Sequence, residues 1–357
     1  MIGNGPGATE SRSRRVASSR RSTMQALAGG IATAVALRPP PSLRAHLDLA
    51  TPVPSAVTGT EARAYFSTHP AAQTLPPDPR FAARPPKLRE PVAGVVDRTV
   101  PGPGGELLLR IYTPHGRGPF PVVLHFHGGG WVGGGLDNED DLCRSLAHRS
   151  GALVASVAFR LAPSHPYPAA VDDGFAALQW LAEHAAEVGG DSARLAVSGR
   201  SSGGNLAAAT ALVARDRGSP PLAAEVLLVP ATNHNFDTAS YHQNADGYGL
   251  TRDAMIAFWD RYLARPEDGE EPYASPLRAP DLAGLPPALV VTAQWDPLRD
   301  DGEAYAARLQ RAGVPVQATR YLDATHGFLG FAATVSSADY ALWQTADFLR
   351  AAFSIGR

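Results

Sequence analysis

From about residue 92 onward, short apolar runs alternate with longer amphipathic stretches. Seven runs predict strands, at residues 107–113, 121–126, 153–159, 194–198, 225–230, 287–293 and 316–321. Several of them are continuously apolar, which is typical of strands covered on both faces. Helical periodicity predicts helices at 169–187, 203–216, 302–312 and 337–353. This alternation predicts βαβ units, and therefore an α/β fold with a mostly parallel sheet flanked by helices.

Two regions depart from the alternation. Residues 231–280 carry helical periodicity around 252–262 but no strand pattern, so we interpret them as an insertion above the edge of the sheet. Residues 39–41 and 76–86 are rich in proline, and a capped helix is predicted between them at 60–66.

The first 23 residues have the composition of a leader, with five arginines and one acidic residue. An apolar run at 26–37 follows, with a candidate cleavage site at 34–36, and Arg20-Arg21 suggests a twin-arginine export signal. A disordered extension, or an upstream start with initiation at Met24, is the alternative that we favour. We therefore expect a cytoplasmic location, with export through this leader as the alternative.

Composition and charge narrow the class of protein. Of 357 residues, 44% are hydrophobic and 18% are charged, which excludes a disordered chain or a coiled coil. The net charge of −2 gives no global electrostatic reason to bind nucleic acid or anionic membrane. The apolar run at 26–37 is too short for stable membrane insertion. Cys143 is the only cysteine, so neither an intrachain disulfide nor a cysteine-based zinc site can form. The sequence is compatible with a homodimer.

A candidate nucleophile lies where the strand at 194–198 meets the helix at 203–216. The intervening residues Gly199-Arg200-Ser201-Ser202-Gly203 fit G-x-S-x-G, the pattern of a nucleophile elbow. The tight turn strains the serine backbone and requires neighbours without side chains two positions before and after it. A glycine- and serine-rich helix cap is the alternative. The pattern selects Ser201 rather than Ser202, because a pattern centred on Ser202 would require glycine in place of Arg200.

Three consecutive glycines, Gly128, Gly129 and Gly130, follow the buried strand at 121–126. Glycines allow backbone N–H groups to approach a substrate oxygen that becomes negative, so this loop is a candidate oxyanion hole. A flexible loop is one alternative. A metal site at His125 and His127 is the other, but no third ligand is evident from local spacing.

A serine nucleophile needs a base and a carboxylate that orients it. His234, His242 and His326 are the histidines that follow Ser201, and only His326 lies in a loop directly after a predicted strand. Asp296 emerges first from the strand at 287–293. Asp300 and Asp301 lie near the start of the next helix, where a capping role explains a carboxylate.

Five ordered motifs together resemble the hormone-sensitive-lipase-like esterases of the α/β-hydrolase superfamily. Residues 127–131 (HGGGW) resemble its H-G-G-G-[FW] motif, and 159–170 are similar to Y-R-L-A-P-E-H-P-F-P-A-A. Residues 199–206 resemble G-[DT]-S-A-G-G-N-L, 296–300 match D-P-L-R-D, and 326–328 match H-G-F. The resemblance implies an α/β-hydrolase domain over residues 46–357, preceded by the leader or extension at 1–45. It also implies a small helical cap formed by about 46–90 and 231–280.

The resemblance further implies a triad of Ser201, Asp296 and His326. It implies oxyanion donors at the amides of Gly128, Gly129 and Ser202, and we expect Gly130 and Trp131 to contact the substrate. The sequence departs from the family at Arg200, where a small polar or acidic residue is usual, at Ser202 in place of alanine, and at Ser164 in place of glutamate. Arg200 is expected to alter local packing or the pH optimum.

The sequence therefore predicts a serine carboxylic-ester hydrolase for short to medium acyl esters, working through an acyl-enzyme with no metal or organic cofactor. The substrate is a small-molecule ester. Amidase, lactonase or deacetylase activity by the same triad is the alternative within enzymes. A non-catalytic small-molecule receptor or an inactive homologue is the alternative outside them, and the presence of His326 argues against a receptor.

Overall fold

The computed structural model describes Met1, residues 89–332 and residues 335–354. Apart from Met1, the predicted leader at 1–45 lies outside these residues, as do the predicted helix at 60–66 and almost all of the first cap segment. Among them, the strands are β1 Gly94–Gly102, β2 Gly105–Thr113, β3 Phe120–Phe126, β4 Leu153–Ala158, β5 Gly190–Arg200, β6 Ala224–Leu228, β7 Ala288–Trp295 and β8 Val316–Thr325. The helices are α1 Asp140–Ser150, α2 Ala169–His184, α3 Ser202–Asp216, α4 Ala239–Gln243, α5 Arg252–Tyr262, α6 Arg299–Arg311 and α7 Ser336–Ser354.

The strands of this described part form one sheet in the order β1-β2-β4-β3-β5-β6-β7-β8. β1 pairs with β2, and β2 with β4, in antiparallel fashion, whereas every pair from β4 to β8 is parallel. The predicted mostly parallel sheet is confirmed, and all seven predicted strands are present with shifted ends. β1 and α1 are additions that the sequence pattern did not predict.

Both faces of the sheet are covered by helices. On β3, Val122, Leu124 and Phe126 pack into the apolar layer that contains α2, α3 and α6. Val123 points the other way, into the layer that contains α1 and α7. This alternation follows from the two-residue period of a strand. It explains why the central strands carry apolar residues on both faces rather than at every second position alone.

The segment 231–280 contains α4 and α5 but no strand, as its periodicity predicted. It connects β6 to β7 beyond the carboxyl ends of the parallel strands. Asp300 and Asp301, in the first turn of α6, accept hydrogen bonds from the Ser240 and Thr232 amides at 2.7 and 3.2 Å. Their carboxylates therefore attach this segment to the sheet domain. Within the described residues, no helix combines the length and apolar character needed to cross a bilayer.

Candidate active site

The turn between β5 and α3 holds Ser201 in a strained conformation. Ser201 has φ 58° and ψ −121°, a region that residues other than glycine rarely occupy. A Cβ atom on Gly199 would collide with the Gly203 carbonyl, and one on Gly203 would collide with the Phe126 carbonyl. Glycine is therefore required at both flanking positions. The geometry is that of a nucleophile elbow, with the serine at the carboxyl end of a central strand.

Two other side chains meet Ser201 across the ends of β7 and β8. His326 Nε2 lies 2.8 Å from Ser201 Oγ, and His326 Nδ1 lies 2.8 Å from Asp296 Oδ2. Because a carboxylate only accepts, Nδ1 carries the proton and Nε2 is free to accept the serine hydroxyl proton. The Leu298 amide donates to Asp296 Oδ1 at 2.9 Å, which fixes this fully buried carboxylate.

The remaining downstream candidates lie elsewhere. His242 pairs with Asp237 at 2.6 Å, and His234 packs against Phe236 and Trp259 in the 231–280 segment. Asp300 binds the Ser240 amide rather than a histidine. The structure therefore brings Ser201, His326 and Asp296 together and leaves these other groups outside the cluster.

The glycine loop after β3 turns sharply beside the elbow. Gly129, Gly130 and Trp131 all have positive φ, at 132°, 62° and 60°. Among the described residues, the Gly129 and Gly130 amides donate to no protein acceptor, and the Ser202 amide is the first N–H of α3, where a helix has no internal acceptor. These three amides remain available for an anionic oxygen.

The expected oxyanion role of Gly128 requires a correction. Its N–H donates to Glu139 Oε1 at 3.3 Å, so this amide already has a buried partner. Sequence reasoning missed Glu139. It ends the 3₁₀ helix Leu136–Glu139, in which the three residues after Leu136 are polar, and nothing in this local pattern marked it.

A buried charged network lies beneath the loop. Glu139 is 1% exposed and its Oε1 accepts from Arg200 Nε at 2.9 Å and from a second guanidinium nitrogen of Arg200. Burial alone would raise the pKa of Glu139, but the Arg200 charge and the neighbouring His125 hold it well below its usual range. His125 Nδ1 also contacts Ser198 Oγ at 3.3 Å. Burial lowers the pKa of His127 to about 4, so its ring is neutral, and Nδ1–H donates to the Gly128 carbonyl at 2.9 Å.

His125 and His127, the alternative metal ligands, therefore both have structural partners. Across residues 89–332 and 335–354, no group of three or more His, Cys, Asp or Glu side chains is arranged to hold a metal ion.

The expected substrate contact of Trp131 also requires a correction. Its side chain is 1% exposed and its ring stacks on Tyr262 with a centroid distance of 4.3 Å and an interplanar angle of 8°. Trp259 also packs against the Trp131 ring, with 4.6 Å between the ring centroids. Trp131 thus anchors the glycine loop to α5. The residue of α5 that reaches the loop backbone is Phe258, because a Cβ on Gly130 would lie 2.5 Å from its ring.

The chain is similar to proteins of known fold and activity. A family profile described as the α/β-hydrolase fold matches residues 123–330. A carboxylesterase of Mycobacterium tuberculosis, NlhH, is 44% identical over 259 residues, which cover 71% of this chain and 81% of that protein. An ethyl acetate hydrolase of Pseudomonas putida is 37% identical over 253 residues, 69% of this chain and 79% of that protein. The structure of a hyperthermophilic esterase from Pyrobaculum calidifontis superposes with a TM-score of 0.77 at 39% identity, covering 88% of this chain and 99% of that one.

Proposed function

The chain belongs to the hormone-sensitive-lipase-like esterases of the α/β-hydrolase superfamily and is a carboxylesterase-like hydrolase of small esters, and we propose that Ser201, His326 and Asp296 carry out this hydrolysis. The observation that carries the proposal is the continuous hydrogen-bonded series from Ser201 Oγ through the His326 ring to Asp296, with 2.8 Å at both steps. The strained backbone of Ser201 supports it independently.

In the first half of the reaction, Ser201 Oγ attacks the ester carbonyl carbon while His326 Nε2 takes the hydroxyl proton. Asp296 keeps the ring in the correct tautomer and stabilises the imidazolium that forms. The carbonyl oxygen becomes negative and accepts from the Gly129, Gly130 and Ser202 amides, in a role that is worth roughly 3–4 kcal/mol per donor. When the carbonyl re-forms, the alkoxide leaves and His326 protonates it.

The second half repeats these steps with water. His326 takes a proton from water, the resulting hydroxide attacks the acyl-enzyme, and the second tetrahedral intermediate collapses to release the acid and return the proton to Ser201 Oγ. Each of these steps uses only groups of the protein, the ester and water.

Short to medium acyl chains are the proposed substrates. The ring of Phe258, from α5, lies against Gly130, directly beside the proposed oxyanion donors. A bulky ring at this position limits the space for the acyl chain next to the reacting carbonyl. The similarity to an ethyl acetate hydrolase also favours a short acyl group.

A series of p-nitrophenyl esters of increasing acyl length, hydrolysed by wild type and Ser201→Ala, tests the proposal. We expect the variant to lose at least about a thousandfold in kcat, because removal of a triad member leaves only oxyanion-hole catalysis. Ser192→Ala, at an exposed position near the start of β5, is the matched control and should behave as wild type. Equal rates for Ser201→Ala and wild type would reject the assignment. Matching p-nitroanilides separate an amidase from an esterase.

A further inference from the structure

Arg200 immediately precedes the proposed nucleophile and stands where the family usually has a small polar or acidic residue. Its side chain is only 21% exposed, and its guanidinium pairs with Glu139. A long cation at this position needs a partner, and the chain supplies one from a segment 61 residues away. The pair is therefore a feature of this chain rather than of the motif.

The Glu139 carboxylate joins three separate parts of the site. Its Oε1 accepts from Arg200, at the end of β5, and from the Gly128 amide, in the loop after β3. Glu139 itself ends the 3₁₀ helix Leu136–Glu139, which leads directly into α1. The Arg200 guanidinium also lies against Gly128, since a Cβ there would be 3.5 Å from the guanidinium carbon.

These contacts fix the direction of a peptide plane that matters for the reaction. The Gly128 N–H is held toward Glu139, and the backbone that follows has positive φ at Gly129 and Gly130. Two guanidinium nitrogens of Arg200 donate to the same Glu139 oxygen, and such charge-assisted bonds are stronger than a neutral hydrogen bond. They can therefore restrain a glycine loop that has no side chains of its own to pack.

Resting on the proposed function, we propose that Arg200 and Glu139 are positioning residues that hold the oxyanion loop in register with Ser201. The pair does not touch the substrate. It sets the distance between the attacking Oγ, one residue after Arg200, and the Gly129 amide, one residue after Gly128. Because an oxyanion hole acts on the transition state rather than on the bound ester, the pair contributes to kcat and little to KM.

The decisive variant is Arg200→Thr, which installs a residue that the family itself uses. In this chain it leaves a buried carboxylate without its cation, and an unpaired buried charge is strongly unfavourable. We expect kcat per active site to fall by about a hundredfold, the effect of losing an oxyanion donor, with KM changed by less than about threefold. Adding Glu139→Gln removes the stranded charge, and we expect the double variant to be about tenfold more active than Arg200→Thr alone.

Active-site titration with a fluorophosphonate keeps the test independent of folding yield. The kcat is expressed per serine labelled, so that partly unfolded protein does not count. Arg200→Lys retains the charge but lacks the planar fork, and it serves if Arg200→Thr does not fold; we expect about a tenfold loss. Arg194→Thr is the matched control, because it breaks an arginine–carboxylate pair with Asp191 (2.7 Å) toward the other end of the same strand. It should retain wild-type kcat per site.

An aryl trifluoromethyl ketone gives a second readout, since its hemiketal oxyanion needs the same donors. Its inhibition constant should rise by the same factor as kcat/KM falls across the Arg200 variants. If kcat per labelled site and ketone affinity stay at wild-type values in Arg200→Thr and Arg200→Lys, while only Tm falls, the role is structural and the proposal is wrong. A wild-type enzyme that neither cleaves esters nor labels at Ser201 would instead overturn the proposed function.

Discussion

Glu225 is a buried carboxyl group without a hydrogen-bond partner in the described part of the chain, and its replacement should make the protein more stable. It lies on β6 between Val197 of β5 and Ala288 of β7, and it is fully buried. Neither carboxyl oxygen has a hydrogen-bond partner among the described residues, and the same is true of the nearby Tyr305 hydroxyl. Burial raises the pKa of Glu225 to about 8, so the folded protein keeps this group neutral near pH 7.

The sign and size of the effect follow from linkage. In the unfolded chain the carboxyl ionises near its ordinary pKa of 4.5, whereas in the folded state it stays protonated up to about 8. The unfolded state therefore binds fewer protons in this window, and stability falls as pH rises through it. The stability that this raised pKa contributes is fully present below the pKa of the unfolded state. It is lost once the pH has risen to the pKa of the folded state. Each pH unit corresponds to about 1.4 kcal/mol, so roughly 3 kcal/mol is lost between about pH 5 and pH 7.

Glu225→Gln preserves the shape and removes the titration. Urea unfolding of both proteins at about pH 5, 6, 7, 8 and 9 gives the difference in unfolding free energy, in which all other titrating groups cancel. We expect the variant's advantage to grow by about 1.4 kcal/mol per pH unit up to about pH 8 and then to level off. Glu106→Gln, at an exposed position of β2, is the control and should give no such trend. Parallel stability profiles for Glu225→Gln and wild type would refute the reasoning.

Two further substitutions test the surroundings of the site. Gly203→Ala places a Cβ in collision with the Phe126 carbonyl, so we expect little folded protein and a lower Tm. The control Gly94→Ala, with nothing within 4 Å of its Cβ, should unfold as wild type does. An unchanged Tm for Gly203→Ala would contradict the elbow geometry. Phe258→Ala opens the space above Gly130, and we expect kcat/KM for long acyl esters to rise about tenfold relative to acetate, a factor typical of pocket complementarity. An unchanged acyl-length profile would show that Phe258 does not limit the pocket.

The fold was predictable from sequence where burial dictates the pattern. The central strands are apolar on both faces, and all of them were found. β1 was missed because only one of its nine residues is buried, so it carries no apolar alternation, and its place is set by pairing with β2. α1 was missed because charged residues fill both of its ends, although Leu142, Cys143 and Leu146 form a buried stripe.

Ser201, Asp296 and His326 could be proposed from sequence because each stands at a strand end within a short motif. The loop amides could not be assigned in the same way. The motif marks three glycines, but which N–H groups face the substrate depends on the peptide planes, and these depend on what each amide bonds to. Glu139 takes the Gly128 amide, a contact across 11 residues of chain. Trp131 was misjudged for a similar reason, since its ring is buried by Trp259 and Tyr262 from a distant segment.

Position 200 shows why a departure from a motif should be evaluated together with its spatial partner. Taken alone, a cation beneath the nucleophile predicts disturbed packing or a shifted pH optimum. Paired with Glu139, it neutralises a carboxylate that would otherwise be buried uncompensated, and that carboxylate in turn holds the Gly128 amide. Each charge would be unfavourable without the other, so Arg200 cannot be replaced by the family's usual residue while Glu139 keeps its charge. The coupling energy between positions 200 and 139, rather than the effect of either single substitution, is therefore the quantity that determines how firmly the oxyanion loop is held.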